Sequence, residues 1–117
     1  MANGRILIVA PEIDLRRSLR FALEAEGYAV TDLPHIKIPP PDLRYDCTVL
    51  DRKAAVGPQA DIVDFCRRSD PVILLSEVGI PWLADSIAAV VERPVAGFSL
   101  VKAIAKATAS PAAATTT

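Results

Sequence analysis

Five short apolar runs, separated by segments with helical periodicity, constrain the fold of this 117-residue chain more than any other feature. Each run is rich in aliphatic and β-branched residues, which is the composition expected of strands that are covered on both faces. The runs are 6–10, 28–33, 47–50, 71–75 and 88–91. Strands that alternate with helices form a parallel sheet with right-handed crossovers. We therefore predict an α/β fold with a doubly wound, five-stranded parallel sheet.

The segments between the runs predict the helices. Leucines at a helical spacing from Leu15 to Leu23 predict an amphipathic helix, and Gly27 is its natural end. A further helix is expected to end at Arg68. A last helix is expected after an N-cap at Ser99.

Two of the crossovers are not suited to a full helix. The link between the second and third runs contains Pro39, Pro40 and Pro41. A proline beyond the first turn of a helix removes a backbone donor and clashes with the preceding turn. We therefore expect a proline-rich loop in place of the second helix. Between the fourth and fifth runs only 81–87 suits a helix, so the fourth helix is expected to be short, with one or two turns.

Length and composition exclude several functional classes. The chain has room for one domain, predicted over 1–109, and the low-complexity segment 110–117 is expected to be a disordered tail or the start of a linker. A net charge of −1 gives no reason to expect binding to nucleic acid or to a membrane. No run approaches the roughly 20 apolar residues of a membrane span, and the N-terminus lacks the apolar core of a signal peptide. We expect a cytoplasmic protein with Cys47 and Cys66 as reduced thiols.

The ends of the strands carry the candidate site residues. The carboxyl ends of parallel strands meet at one edge of a sheet, where α/β proteins bind ligands. The residues at four of these ends are Ala10, Pro11, Glu12, Asp51, Ser76, Arg93 and Pro94. No glycine-rich loop follows the first run, which argues against a nucleotide site of the usual kind, although an unrelated small ligand-binding α/β protein remains an alternative.

The order and spacing of these motifs resemble the receiver domain of bacterial two-component response regulators. The segment RILIV…DLRRSLRFALEAEGYAV is similar to the family's first strand, first helix and second strand. DCTVLD resembles the third strand, PVILLS the fourth, and ERPVAGFSLVKAI the Lys-Pro turn and last helix. The resemblance extends from Arg5 to about Ala109.

The resemblance implies a role for each strand end. Asp51 corresponds to the aspartate that accepts a phosphoryl group from a phosphohistidine. Ser76 and Arg93 stand at the positions of the Ser/Thr and Lys that hold the phosphoryl oxygens. Ala10 and Pro11 stand where the family has the acidic pair that binds Mg²⁺. The family's partner-binding face consists of the fourth helix, fifth strand and fifth helix.

The chain departs from this family where the metal would bind. The side chains of Ala10 and Pro11 have no oxygen with which to bind Mg²⁺, so only Glu12 and Asp51 remain as nearby carboxylates. We therefore expect no metal, no cofactor and no enzymatic activity. The interpretation that we favour is a pseudo-receiver, which acts through protein–protein interaction. The alternative is a working receiver that a histidine kinase phosphorylates on Asp51, with Glu12 and backbone groups holding Mg²⁺.

Simpler roles are available to the same residues. Asp51 can be a strand-end carboxylate paired with Arg93, whose planar guanidinium suits a bidentate ion pair. Glu12 can be an acid at the positive end of a helix, and Ser76 can cap the turn that follows it. For Pro94 the resemblance implies a cis peptide bond.

Three further residues have less specific interpretations. Val90 stands where the family has an aromatic switch residue. Trp82, the only tryptophan, is either a core residue or an anchor for a protein partner. His35 is expected on a loop surface.

The partners that the resemblance implies are a histidine kinase, an output domain beyond Thr117, or a second copy bound through the partner-binding face.

Overall fold

The computed structural model describes residues 4–36, 45–69, 71–77, 79–91 and 100–107. Within these residues, five strands form a single sheet in which all paired strands are parallel. The strands are β1 (Gly4–Val9), β2 (Tyr28–Leu33), β3 (Cys47–Asp51), β4 (Val72–Leu75) and β5 (Ala89–Val91). Their order is β2-β1-β3-β4-β5. This is the flavodoxin-like order, and it confirms the predicted fold class.

The helices agree with the periodicity of the sequence. They are α1 (Ile13–Ala25), α2 (Gln59–Arg68) and α3 (residues 100–107). After α1, the backbone N–H of Gly27 donates to the carbonyl of Glu24 at 3.0 Å, and the φ of Gly27 is +95°. A glycine adopts this left-handed conformation without steric cost, and so ends the helix as predicted.

The crossover between β4 and β5 contains only a short 3-10 helix, Pro81–Ser86. Its six residues confirm the predicted one or two turns. A second 3-10 helix, Arg52–Ala54, follows β3 directly. The predicted proline-rich loop, the Ser99 N-cap and the tail 110–117 lie outside the described residues.

The core has one layer on each face of the sheet. Side chains alternate between the faces along each strand, and both sets are apolar because helices cover both faces. One layer joins β1, β3 and β4 to α1 and α3, and Leu23 and Ile104 lie fully buried in it. The other joins the opposite face to α2 and the Pro81–Ser86 helix, through the fully buried Phe65 and Leu83.

The two cysteines are buried free thiols in different layers of this core. Cys47 belongs to the α1 side of the sheet and Cys66 to the α2 side, which excludes a disulfide between them. Burial raises the pKa of the Cys66 thiol to about 11, so it is protonated at neutral pH.

His35 is exposed in the turn that follows β2. Among the described residues, no helix is both long and apolar enough to cross a membrane.

One buried hydroxyl predicts a stabilising substitution. Within the described part of the chain, Thr48 Oγ1 in β3 is buried and has no hydrogen-bond partner. An unpaired buried hydroxyl costs about 1–3 kcal/mol, and valine has the same shape without it. We expect Thr48→Val to raise the free energy of unfolding by about 1 kcal/mol in urea titrations. The exposed Thr31 of β2 provides the control, since Thr31→Val should change stability little. Equal effects at the two positions would contradict the prediction.

Candidate functional site

The ends of β1, β3 and β4 bring three of the predicted site residues together. Val9 pairs with Leu50 across β1 and β3, so Ala10 comes beside Asp51. Asp51 pairs with Leu75 across β3 and β4, and Ser76 follows directly. The sheet therefore places Ala10, Asp51 and Ser76 side by side at its carboxyl edge. The predicted positions Arg93 and Pro94, with the cis bond, lie outside the described residues.

Asp51 is a fully buried carboxylate at the end of β3. Its Oδ1 accepts a hydrogen bond of 3.1 Å from the backbone N–H of Lys53, and the side chain thereby caps the 3-10 helix Arg52–Ala54. This arrangement follows from an aspartate placed where a strand turns directly into a helical turn. The side chain thus has a local structural role in addition to any chemistry.

The segment after β1 is held by backbone contacts and by an arginine of α1. Ala10 is fully buried, and its N–H donates to the carbonyl of Leu33 at 2.9 Å. Arg16 Nη1 donates to the carbonyl oxygens of Ala10 at 2.8 Å and Pro11 at 3.4 Å. Arg16 Nε also lies 3.6 Å from Asp32 Oδ2 at the end of β2. The guanidinium of Arg16 therefore holds the Ala10–Pro11 segment in place. In the family that the sequence resembles, this segment carries the metal-binding acids.

Glu12 is engaged by a cation from the neighbouring loop. Its Oε1 lies 3.3 Å from Lys53 Nζ, and both side chains are about half exposed. Glu12 is the N-cap residue of α1, but its side chain makes no capping hydrogen bond. Lys53 thus contacts both remaining carboxylates, Asp51 through its backbone and Glu12 through its ammonium.

Sequence reasoning missed Arg16 and Lys53 as members of this site. Arg16 lies on the polar side of α1, where arginines are usually solvated, and nothing in the pattern shows that its side chain turns back to the β1 end. Lys53 does offer a signal, since it lies two residues after Asp51 in a tight turn. That spacing alone does not indicate its distance from Glu12.

The donor set does not suit a magnesium ion. Mg²⁺ binds oxygen ligands in octahedral geometry and requires carboxylates to replace part of its hydration shell. Ala10 and Pro11 provide no side-chain oxygen, Glu12 is paired with an ammonium, and Asp51 is the remaining carboxylate. Across the described ranges, no three His, Cys, Asp or Glu side chains are grouped so as to hold a metal.

The remaining predicted residues on the β4 and β5 side of the sheet differ in exposure. Ser76 is almost fully buried, and its backbone N–H donates to the carbonyl of Val91 at 3.1 Å, which joins the end of β4 to β5. Val90 is 43% exposed. Trp82 is 42% exposed, so the interpretation of this tryptophan as a core residue is wrong.

Comparison with known proteins identifies the class of fold. No protein-family model matches the sequence, and no curated protein matches it. Solved structures match over nearly the whole chain. The receiver domain of a sensor histidine kinase from Pseudomonas aeruginosa, with a magnesium ion in its active-site cleft, superimposes with a TM-score of 0.74 at 17% identity. The alignment covers 92% of this chain and 98% of that one.

Two further structures have the same architecture. The N-terminal domain of a response regulator/sensory box/GGDEF protein from Carboxydothermus hydrogenoformans gives a TM-score of 0.77 at 15% identity, over 95% of this chain and 98% of that one. Full-length FixJ from B. japonicum gives 0.71 at 19% identity and 92% coverage of this chain, which spans 60% of FixJ. The chain therefore has the receiver-domain fold.

Proposed function

We propose that this chain is a receiver-type domain of two-component signalling that acts through protein–protein interaction, without Mg²⁺-dependent phosphorylation of Asp51. Its partner would be a histidine kinase, an output domain or a second copy, bound in the cytoplasm. In this proposal the domain catalyses no reaction of its own. The fold, shared with receiver domains over more than nine-tenths of the chain, supports the receiver assignment.

The end of β1 is the observation that carries the proposal. Phosphoryl transfer onto a carboxylate brings anions together, and catalysis consists mainly of positioning and of neutralising this charge. At this edge the buried Ala10 and its neighbour Pro11 provide no side-chain ligand for a metal. Arg16 instead donates to their carbonyl groups, and Lys53 pairs with Glu12. These contacts support a site that works without a divalent cation.

A working receiver is the second candidate. The observation that favours it is the position of Asp51, buried at the end of β3 with Ser76 on the adjacent strand. Those are the positions that the resemblance gives to the phosphoacceptor and to a residue that holds phosphoryl oxygens.

Beryllofluoride, a mimic of a phosphoryl group, distinguishes the two candidates. We expect amide NMR spectra of the chain to be unchanged when beryllofluoride and 10 mM Mg²⁺ are added together. We also expect no mass increase after treatment with acetyl phosphate, because the side chains of Ala10 and Pro11 offer a metal no oxygen ligand. Asp51→Asn is the matched negative control, and the Pseudomonas receiver domain is the positive control. Shifts around Asp51 that disappear in Asp51→Asn would overturn the proposal and establish the second candidate.

A further inference from the structure

A groove lies between α2 and the Pro81–Ser86 helix, and none of its lining residues belongs to the set of strand-end residues described above. Its volume is about 430 Å³, and its lining residues are Gln59, Ala60, Val63, Asp64, Arg67 and Trp82. Both walls are fixed to the same core layer, one through Phe65 of α2 and the other through Leu83, and both side chains are fully buried. The groove is therefore preformed, which lowers the entropic cost of binding a partner.

Trp82 provides the apolar contact surface of this groove. The neighbouring Leu83 holds the 3-10 helix against the core, while the indole is left 42% exposed. Val63 is half-buried and Ala60 exposed on the facing helix. A partly exposed indole beside small apolar side chains is typical of residues that dominate binding energy at protein interfaces.

The charges in the groove favour an acidic partner. Asp64 Oδ2 lies 3.0 Å from Arg68 Nε, so the one carboxylate of the lining is neutralised within α2. Arg67 is exposed and forms no ion pair with any residue that the structure describes. Its guanidinium remains available for bidentate bonds to a carboxylate. The lining therefore presents an indole together with one uncompensated positive charge.

We propose that this groove binds an acidic peptide segment of a protein partner, with a large apolar side chain on Trp82 and a carboxylate on Arg67. The inference rests on the proposed function, because it assigns a surface and a partner chemistry to a domain that acts by protein interaction. The surface is formed by side chains that play no part in the Asp51 site.

Selection from a random 12-residue peptide library tests this assignment. The immobilised wild-type chain is the bait, and the recovered peptides are then measured against Trp82→Ala and Arg67→Glu. We expect recovered sequences enriched in Asp or Glu with Leu or an aromatic residue, and at least about tenfold weaker binding to each variant. Because Trp82 is the only tryptophan, its fluorescence should shift to shorter wavelength when these peptides bind.

Matched controls distinguish loss of binding at the groove from general effects of charge or stability. Arg17→Glu makes the same charge change at an exposed position of α1 and should leave affinity within about twofold. Trp82→Phe keeps an aromatic ring and should retain part of the affinity, and urea unfolding of each variant verifies that it is folded. Peptides that bind Trp82→Ala as tightly as the wild type, that are basic, or that leave the fluorescence unchanged would overturn the inference.

Two more outcomes identify other occupants or separate the two proposals. Sedimentation that shows a dimer lost in Trp82→Ala would assign the groove to a second copy and overturn the acidic-peptide inference. The selection is carried out without Mg²⁺ or a phosphodonor. Phosphorylation of Asp51 would therefore refute the proposed function without affecting the measurement of peptide binding. A failure of peptide binding would refute the groove inference without affecting the beryllofluoride result.

Discussion

Ala10→Asp is expected to destabilise the domain by about 3 kcal/mol at neutral pH, because it buries a second carboxylate beside the buried Asp51. The nearby guanidinium of Arg16 is already engaged by backbone carbonyl oxygens and by Asp32. Ala10 is fully buried and clusters with Ile8 on the α1 side of the sheet. Asp51 alternates with Val49 and so lies on the same side, one strand away. The substitution would therefore place two carboxylates next to each other in a region from which water is excluded.

Urea unfolding with and without 10 mM Mg²⁺ measures this effect. Pro11→Asp is the control, since this half-buried position should tolerate a carboxylate at little cost. In the double variant Ala10→Asp/Pro11→Asp the ion gains ligands, so 10 mM Mg²⁺ should restore about 1.4 kcal/mol if its Kd is near 1 mM. An Ala10→Asp variant as stable as the wild type would show that a carboxylate at position 10 is not penalised by burial beside Asp51.

Phe65→Ala is the second substitution with a large expected effect, a loss of about 3–5 kcal/mol in the free energy of unfolding. Phe65 is fully buried between α2 and the sheet, and its removal leaves a cavity that the fixed strands cannot fill. The same substitution at Phe21, which is 77% exposed on α1, should change stability by less than about 0.5 kcal/mol.

Urea titrations monitored by circular dichroism compare these two variants directly. Because Phe65 anchors one wall of the groove beside Trp82, the variant should also show altered tryptophan emission before unfolding. Similar losses for Phe65→Ala and Phe21→Ala would contradict the burial of Phe65 in the core and the exposure of Phe21.

The fold was predictable because its main signals are local. Each apolar run is confirmed as a strand, with small differences in extent. The strand β1 is Gly4–Val9 rather than 6–10, β3 continues through Asp51, and β4 and β5 each begin one residue later than predicted. Ends differ by a residue or two because hydrogen bonding, rather than composition, determines where a strand stops. Parallel pairing then follows from the alternation of strands and helices, and it brings Ala10 beside Asp51.

The candidate site was less predictable because long side chains determine it. The backbone positions of Ala10, Asp51 and Ser76 follow from the strand ends, whereas the contacts of Arg16 and Lys53 depend on rotamers of flexible side chains. Arg16 reaches six residues back along the chain, and Lys53 reaches Glu12 from 41 residues away. The exposure of Trp82 was undetermined for a similar reason, since a six-residue helix has too few turns to define a buried face.

The two outer strands of the sheet bear on how the domain resists aggregation. Unpaired strands at a sheet border act as templates for foreign strands unless charge or short length prevents it. On β2, Asp32 is held between Arg16 and Arg20, each at 3.6 Å, and the described part of β5 has three residues. The addition of a strand from another molecule is therefore disfavoured at both edges of the sheet. We expect the folded domain to resist cross-β aggregation at high protein concentration.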